Sequence, residues 1–472
     1  MPRVPALVAC LAGLLAGSVA AGQIQRPVQA EEMVKHPNFI VFVADDMAWN
    51  DCGAYGHPHI RTPNLDRLAR EGMRFDRAFL TTSSCSPSRA SVLTGRYPHA
   101  TGAPELHMPL PLEQRMLTES LREAGYYTAA AGKWHLGSPA KVKFNLVREG
   151  GPPSGADFWV PTLRERPKDR PFFLWLAAID PHRPYRQAPV ARPHANTDVL
   201  VPPFLPDTDV VRQDLADYYD EISRFDTNVG LVLKELDAQR AARDTFVLFL
   251  SDNGRPFPRC KTTLYDDGIR TPFIIRFPGR VKPKTVTRSV VSSVDIAPTV
   301  LELAGVKSPP AFQGHSFTQV LTNPKAKARE YAYAEHNWHD YRAFERAVRS
   351  SRYTYIRNWL PELPGTPPAD AVSSPTFQQM RTLRDQGKLN EVQRGCFTTP
   401  RAPEELYDVE KDPHSFHNLA TDPKHREVLE RMRKALADWQ QETGDQFDRE
   451  KLTPDRFDRE SGASLTKAKG KG

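Results

Sequence analysis

The chain has 472 residues, enough for one large domain and a smaller one, and its 39% hydrophobic and 26% charged residues are the balance of a globular protein in water. A net charge of +7 is modest for that length, and no long basic stripe runs through the body. Nucleic acid is therefore excluded as a default partner, while a polyanionic substrate stays compatible.

Arg3, the apolar run 4–19 and the small residues Ser18-Val19-Ala20-Ala21 read as a secretion leader over 1–21. Export follows, to the periplasm or outside the cell. Gly13 and Gly17 interrupt an already short run, so no stable membrane span is expected. Leu7-Val8-Ala9-Cys10 has the look of a lipidation box, but the apolar run continues past Cys10, which is not taken as an anchor. Beyond it, Cys52, Cys85, Cys260 and Cys396 are too few for a disulfide scaffold, and one bridge among them stays open. Residues 22–36 read as a polar linker.

Phe39-Ile40-Val41-Phe42-Val43 is apolar without alternation, the pattern of a strand buried on both faces of an α/β sheet, and it ends at Asp45-Asp46. Thr62-Pro63 opens a helix as N-cap and first residue. Next come a helix over 117–124 and a strand over 126–131 running into Gly132-Lys133-Trp134-His135. The strand 171–177 ends at Asp180-Pro181-His182, a long amphipathic helix spans 211–240, and the strand 245–250 ends at Asp252-Asn253. Past about residue 325, Tyr331-Ala-Tyr-Ala334, Tyr353-Thr-Tyr-Ile356 and Glu405-Leu-Tyr-Asp408 read as strands of a smaller antiparallel unit, closed by a helix over 423–442. The expected organisation is a catalytic domain at 37–324, a C-terminal subdomain at 325–445 and a polar, disordered tail at 446–472.

Sites in open α/β sheets gather at the carboxyl ends of strands, so the polar clusters after these strands are expected to converge. Asp45, Asp46, Asp252 and Asn253 offer oxygen ligands without imidazole or thiolate, a set suited to calcium or magnesium. Cys85 precedes a proline and an arginine at the start of a helix capped by Ser86, where free N–H groups favour anions. Arg89 projects from its first turn. Lys133, His135, His182 and Lys261 lie on loops after strands, where they would neutralise a bound anion and move protons.

Cys85-Ser86-Pro87-Ser88-Arg89, followed by Leu93-Thr94-Gly95-Arg96, resembles the C-x-P-S-R-x-x-x-L-T-G signature of the type I sulfatases. The resemblance extends over about 37–445. It implies an alkaline-phosphatase-like α/β fold: a large mixed sheet flanked by helices, with a smaller C-terminal α+β unit. It also implies that a formylglycine-generating enzyme converts Cys85 to Cα-formylglycine. Calcium is implied at Asp45, Asp46, Asp252, Asn253 and the modified residue 85, magnesium being the weaker choice. Arg89, Lys133 and Lys261 are implied to offset the sulfate charge, His182 or a lysine to protonate the leaving atom, and His135 to help release sulfate. Stretches such as PFFLWLAAIDPHRPY, SDNGRPFP, SSPTFQQM and ELYDVEKDPHSFHNLATDP resemble the N-sulfoglucosamine sulfohydrolase branch of that family. That branch implies a sulfated saccharide substrate, N-sulfated glucosamine in heparin or heparan sulfate. Lys261 stands where an arginine is expected in it. An O-sulfatase on another polysaccharide, for example algal, is the alternative; a phosphonate or phosphodiester hydrolase and a non-catalytic glycan binder are the more distant ones. His336, His339 and Arg346 are candidate sugar contacts. The oligomeric state stays open.

Overall fold

The computed structural model describes residues 36–185 and 190–465. The expected leader, Cys10 and the linker up to residue 35 lie outside the described residues, as do the last seven residues of the expected tail.

Among the described residues, fourteen strands form three sheets. The main sheet holds β1 (Asn38–Ala44), β2 (Met73–Phe75), β4 (Tyr127–Gly132), β5 (Leu146–Glu149), β6 (Phe172–Ala177), β7 (Thr245–Ser251), β8 (Phe273–Arg276) and β9 (Thr285–Thr287). Their order is β5-β4-β6-β1-β7-β8-β2-β9. Only β8 runs against its neighbours β7 and β2; the other pairings are parallel. Phe39, Val41 and Val43 enter one apolar core, and Ile40, Phe42 and Ala44 enter another on the opposite face. That two-sided burial is why β1 shows no polar alternation. The helices Cys85–Thr94, Leu117–Glu123 and Ile296–Leu303 cover the first face; Pro63–Glu71, Trp159–Glu165 and the long Asp209–Ala238 cover the second. Fully burying each such aromatic or aliphatic side chain contributes about 1.5–3 kcal/mol.

The remaining strands are short or C-terminal: β3 (Ala78–Phe79) pairs with β10 (Val291–Ser292), and β11 (Ala332–His336), β12 (Glu345–Arg349), β13 (Tyr353–Asn358) and β14 (Glu404–Asp408) form an antiparallel sheet in that order. Helix Arg426–Thr443 lays Leu429, Met432, Leu436 and Trp439 against Val348, Tyr355 and Leu406 of this small sheet. β11 is tied to the segment that leads into helix Cys85–Thr94, with Glu335 N–H donating to Thr81 O at 2.8 Å.

Several expectations are corrected. The segment 446–465 is not a loose tail: Phe447 packs between Phe344 and Trp359, the Trp338 indole donates to Pro454 O at 2.9 Å, and Thr453 donates to Glu105 at 2.7 Å. Ser86 does not cap its helix, because Cys85 is already the first helical residue and Ser84 holds the cap position. Pro87 still fits, since the first turn needs no donor there. Thr62 holds its N-cap position, but its hydroxyl turns to Asp66 and the Asp226 carboxylate accepts the Asn64 and Leu65 N–H groups instead. The four cysteines are free.

Candidate active site

The ends of β1, β4, β6 and β7 lie side by side, and backbone hydrogen bonds knit the loops that leave them. Asp45 N–H donates to Asp180 O at 2.9 Å, Lys133 N–H to Ala177 O at 2.9 Å, and Asp252 N–H to Ala44 O at 3.1 Å. Gly132 makes the β4 exit possible: its φ is +104°, and a Cβ there would sit 1.8 Å from Ala177 O. Asp46 is left-handed, with φ +76°, a conformation that aspartate tolerates better than most residues.

These turns bring Asp45, Asp46, Asp252 and Asn253 together, all buried. Asn253 donates to Asp46 Oδ1, and Asp46 N–H donates to Asp252 Oδ1 at 3.3 Å. Cations surround the carboxylates. Lys261 Nζ lies 2.8 Å from Asp46 Oδ2, Lys133 pairs with Asp45 Oδ2, and Arg89 Nε donates to Asp252 Oδ2 at 2.7 Å. Arg89 is wholly buried and also donates to Lys133 O at 2.9 Å, so it braces the β4 loop. His182 Nε2 lies 3.9 Å from Asp46 Oδ2, and its Nδ1 bonds to Arg183 O. Arg183 is locked bidentately onto Asp214 at 2.7 Å, and Asp214 accepts from Thr376 at 2.5 Å, which fixes the His182 loop against two helices.

Cys85 reaches the same cluster from the start of helix Cys85–Thr94, its Sγ 3.9 Å from Asp46 Oδ1. Ser84 does not close the N-terminus with its side chain; its hydroxyl bonds to His339 Nδ1 at 2.7 Å. First-turn N–H groups therefore remain available to an anion.

The electrostatics are unbalanced in an informative way. Burial opposes charge on Asp45, but Lys133, His182, Arg89 and Lys261 outweigh it and hold that carboxyl well below the usual range. Burial, and then the Asp45 charge, push Asp252 up to about 7. Burial drives the Cys85 thiol well up despite Lys261 and Lys133, so an unmodified Cys85 is a neutral thiol and a poor nucleophile. Burial, with Lys133 and Arg89, pushes His135 well down and keeps it neutral. Its Nε2 bonds to His107 Nδ1 at 2.7 Å, while its Nδ1 is buried without a partner.

Two acceptor oxygens, Asp45 Oδ1 and Asn253 Oδ1, are also buried without hydrogen-bond partners. Leaving such oxygens unsatisfied costs about 1–3 kcal/mol each. A hard divalent cation coordinated by these oxygens removes that cost and relieves the carboxylate repulsion, so the donor set fits one. Ligand atoms of Asp45, Asp46, Cys85 and His182 all lie within 4.8 Å of one another.

Of the expected residues, Asp45, Asp46, Cys85, Arg89, Lys133, His182, Asp252, Asn253 and Lys261 share this cluster, and His135 joins it through the Lys133 loop. His336 is not in the cluster itself: it lies 3.6 Å from Glu345 and lines a cavity of about 60 Å³ with Thr262, the neighbour of Lys261, and with His339, Tyr341 and Arg401. Arg346 is not free to contact a sugar. It is 1% exposed and spent on Asp445 at 2.7 Å. Sequence reasoning missed His107 and Asp370. Asp370 lies 3.8 Å from Lys261 and 3.7 Å from His182, and no local pattern marks it.

The family model described as Sulfatase matches residues 37–145 and 155–306, and a second, described as N-sulphoglucosamine sulphohydrolase, C-terminal, matches 259–362. An ulvan-active sulfatase of Formosa agariphila is 33% identical, over 88% of this chain and 76% of the relative. Human N-sulphoglucosamine sulphohydrolase is also 33% identical, over 86% of this chain and 90% of the relative. A solved structure of a protein in complex with its substrate D-glucosamine-2-N,6-O-disulfate shares the fold, with a TM-score of 0.68 at 21% identity, covering 88% of this chain and 100% of that one. With the family's pattern running over most of the described residues and the buried cysteine at its centre, this chain belongs to the sulfatase family and is a sulfate-releasing hydrolase.

Proposed function

We propose that the protein is an exported, calcium-dependent sulfatase that removes the N-sulfate of glucosamine from heparin- or heparan-type saccharides, after conversion of Cys85 to formylglycine. The observation that carries the reading is the placement of Cys85: first residue of a buried helix, 3.9 Å from Asp46, inside a carboxylate cluster with unpartnered oxygens. The sugar assignment is supported by the match of residues 259–362 to the N-sulphoglucosamine sulphohydrolase C-terminal family. A second reading, an O-sulfatase acting on a polysaccharide such as ulvan, is supported by the equally similar ulvan-active relative.

Asp45, Asp46, Asp252 and Asn253, with residue 85, would hold the cation, which when bound supplies positive charge to sulfate oxygens and acidifies a neighbouring hydroxyl. Formylglycine would supply a hydrated aldehyde, with one hydroxyl to attack sulfur and a second through which sulfate departs. The chain's own groups do the rest. Lys133 and Lys261 stand on either side of Asp45 and Asp46 and spread charge over the sulfuryl oxygens. Arg89 holds Asp252 and the Lys133 loop in register. His182, its Nδ1 fixed on Arg183 O, presents Nε2 to give a proton to the leaving atom. His135 is neutral and has one free ring nitrogen, the state needed to accept a proton when sulfate is released.

The test is ion chromatography of sulfate released from N-sulfated, 2-O-sulfated and 6-O-sulfated heparin saccharides and from ulvan fragments, using protein co-expressed with a formylglycine-generating enzyme and assayed with calcium. Release from N-sulfated glucosamine supports the proposal. Release confined to O-sulfated sugars rejects the N-sulfate assignment and favours the second reading.

A further inference from the structure

Asp370 enters the site from outside both family matches, which end at residues 306 and 362. It is the second residue of the short helix Ala369–Val372. Ala369 N–H donates to Asp340 Oδ2 at 2.9 Å and Ala371 N–H to Asp370 Oδ1 at 2.8 Å, which fixes the helix and uses one carboxylate oxygen. The other oxygen, Oδ2, is buried and accepts no hydrogen bond. It faces Lys261 Nζ at 3.8 Å and His182 Nε2 at 3.7 Å, beyond hydrogen-bond reach of both. Lys261 is turned to Asp46 instead, at 2.8 Å. Asp370 is also outside the group of residues placed to share a cation.

An acceptor-only oxygen therefore points at the two groups that receive the sulfate and protonate its leaving atom. Lys261 and His182 favour its charge, but a carboxylate there repels sulfate oxygens, so it suits a substrate that brings a hydrogen-bond donor to the leaving atom. The bridging oxygen of a sulfate ester carries no hydrogen. The bridging nitrogen of a sulfamate carries one, and the amine it leaves becomes an ammonium at neutral pH.

Resting on the sulfatase reading above, we infer that Asp370 is a specificity residue whose Oδ2 accepts the N–H of a scissile sulfamate and then holds the departing amine, selecting N-sulfate over O-sulfate. In that step the S–N bond breaks and its electron pair stays on nitrogen. Nitrogen takes one proton from His182, sulfur passes to the attacking hydroxyl oxygen, whose own proton goes to Asp252, and Asp370 remains a carboxylate throughout. Oδ2 gains the partner it lacks, and the bond strengthens as charge develops on nitrogen.

The experiment compares wild type, Asp370→Asn and Asp370→Glu, each with residue 85 converted and calcium present, on N-sulfoglucosamine, 6-O-sulfated N-acetylglucosamine and p-nitrophenyl sulfate. The quantity read is the ratio of kcat/KM for the sulfamate to that for each ester. Losing a hydrogen bond to a charged acceptor lowers that ratio about 10- to 100-fold in Asp370→Asn, with kcat falling more than KM rises. A second measurement needs no variant: glucosamine inhibits the wild-type aryl sulfatase activity about tenfold better than N-acetylglucosamine, as expected for an ammonium held by a carboxylate. A ratio that moves less than about threefold, with no preference for glucosamine as inhibitor, overturns the role of Asp370 while wild-type sulfamate turnover keeps the N-sulfate assignment. An equal fall on the sulfamate and the 6-O-sulfated sugar overturns it as well, because a ring hydroxyl is then the donor. Wild type that cleaves the aryl ester but not the sulfamate rejects both the inference and the N-sulfate assignment.

Discussion

Two clusters of histidine and carboxylate lie at opposite ends of helix Cys85–Thr94, and they differ in what they leave unpaired. At its N-terminus are Asp45, Asp46, Cys85 and His182; just past its C-terminus are His99, Glu335 and Asp445. Both sets are close enough to share an ion. In the second, every carboxylate oxygen is used. Glu335 accepts from the His99 ring at 2.6 Å, from His99 N–H at 3.1 Å and from Asn337 at 3.0 Å, while Asp445 accepts two bonds from Arg346 and one from Gln440. In the first, Asp45 Oδ1, Asn253 Oδ1 and one Arg89 nitrogen are buried without a hydrogen bond, the Arg89 nitrogen standing 3.6 Å from Asp45 Oδ1. Composition alone does not separate a reactive cluster from a staple. The leftover valences do here, because a buried acceptor oxygen among carboxylates that is left without a donor is costly unless an ion or ligand supplies the missing partner.

Four experiments would break or sharpen that contrast. The largest effect is expected from Cys85→Ala, which lowers sulfate release about 10⁴-fold or more while the thermal unfolding midpoint stays within a few degrees. Steady-state assay and calorimetry on one preparation check this, and residual turnover within tenfold of wild type would remove Cys85 from the chemistry. Arg346→Met comes next. It strands two buried carboxylates and costs about 3–5 kcal/mol of stability, read by denaturant unfolding, with or without calcium. A calcium-dependent loss would make the second cluster an ion site after all. Third, chelation lowers stability by about 2.7 kcal/mol relative to calcium at a hundred times its Kd, and Asp45→Asn abolishes that difference while Arg346→Met keeps it. The smallest effect concerns pH. Burial opposes charge on His99, but Glu335 and Asp445 outweigh it and raise its pKa above 6.5. Its stabilisation is complete below pH 6.5 and declines as pH rises through the folded value. His99→Gln should flatten that alkaline decline in stability measured from pH 6 to 9, and an unchanged slope would show that His99 carries no charge in the fold.

The frame of the site was legible in the sequence because the strands that carry it are continuous apolar runs. Burial on both faces imposes such runs, so β1, β6 and β7 were readable to within a residue or two, and the aspartates after them followed. The short strands β2, β3, β5, β8, β9 and β10 have two to four residues each and no period to detect. They form because neighbouring backbones offer partners, a tertiary cause. The same limit hid Asp370 and His107. Their meetings with Lys261 and His135 depend on how distant loops pack, and neither sits in a local pattern that chemistry would select. Arg346 failed for the converse reason: a polar residue on a C-terminal strand reads as available until its buried partner, Asp445, is seen.

All ten residues of helix Cys85–Thr94 are buried, including Arg89 and the proline between it and the cysteine. Any enzyme that reads this stretch as a peptide meets it only while the chain is still open. If Cys85 is converted as proposed, maturation is a race between modification and folding, and a chain that closes first keeps its thiol for as long as it stays folded. Yield of working protein would depend on the tempo of synthesis and export as much as on the finished structure, and slowing folding in the producing cell, by temperature or by a chaperone, becomes a lever on how many molecules leave it competent.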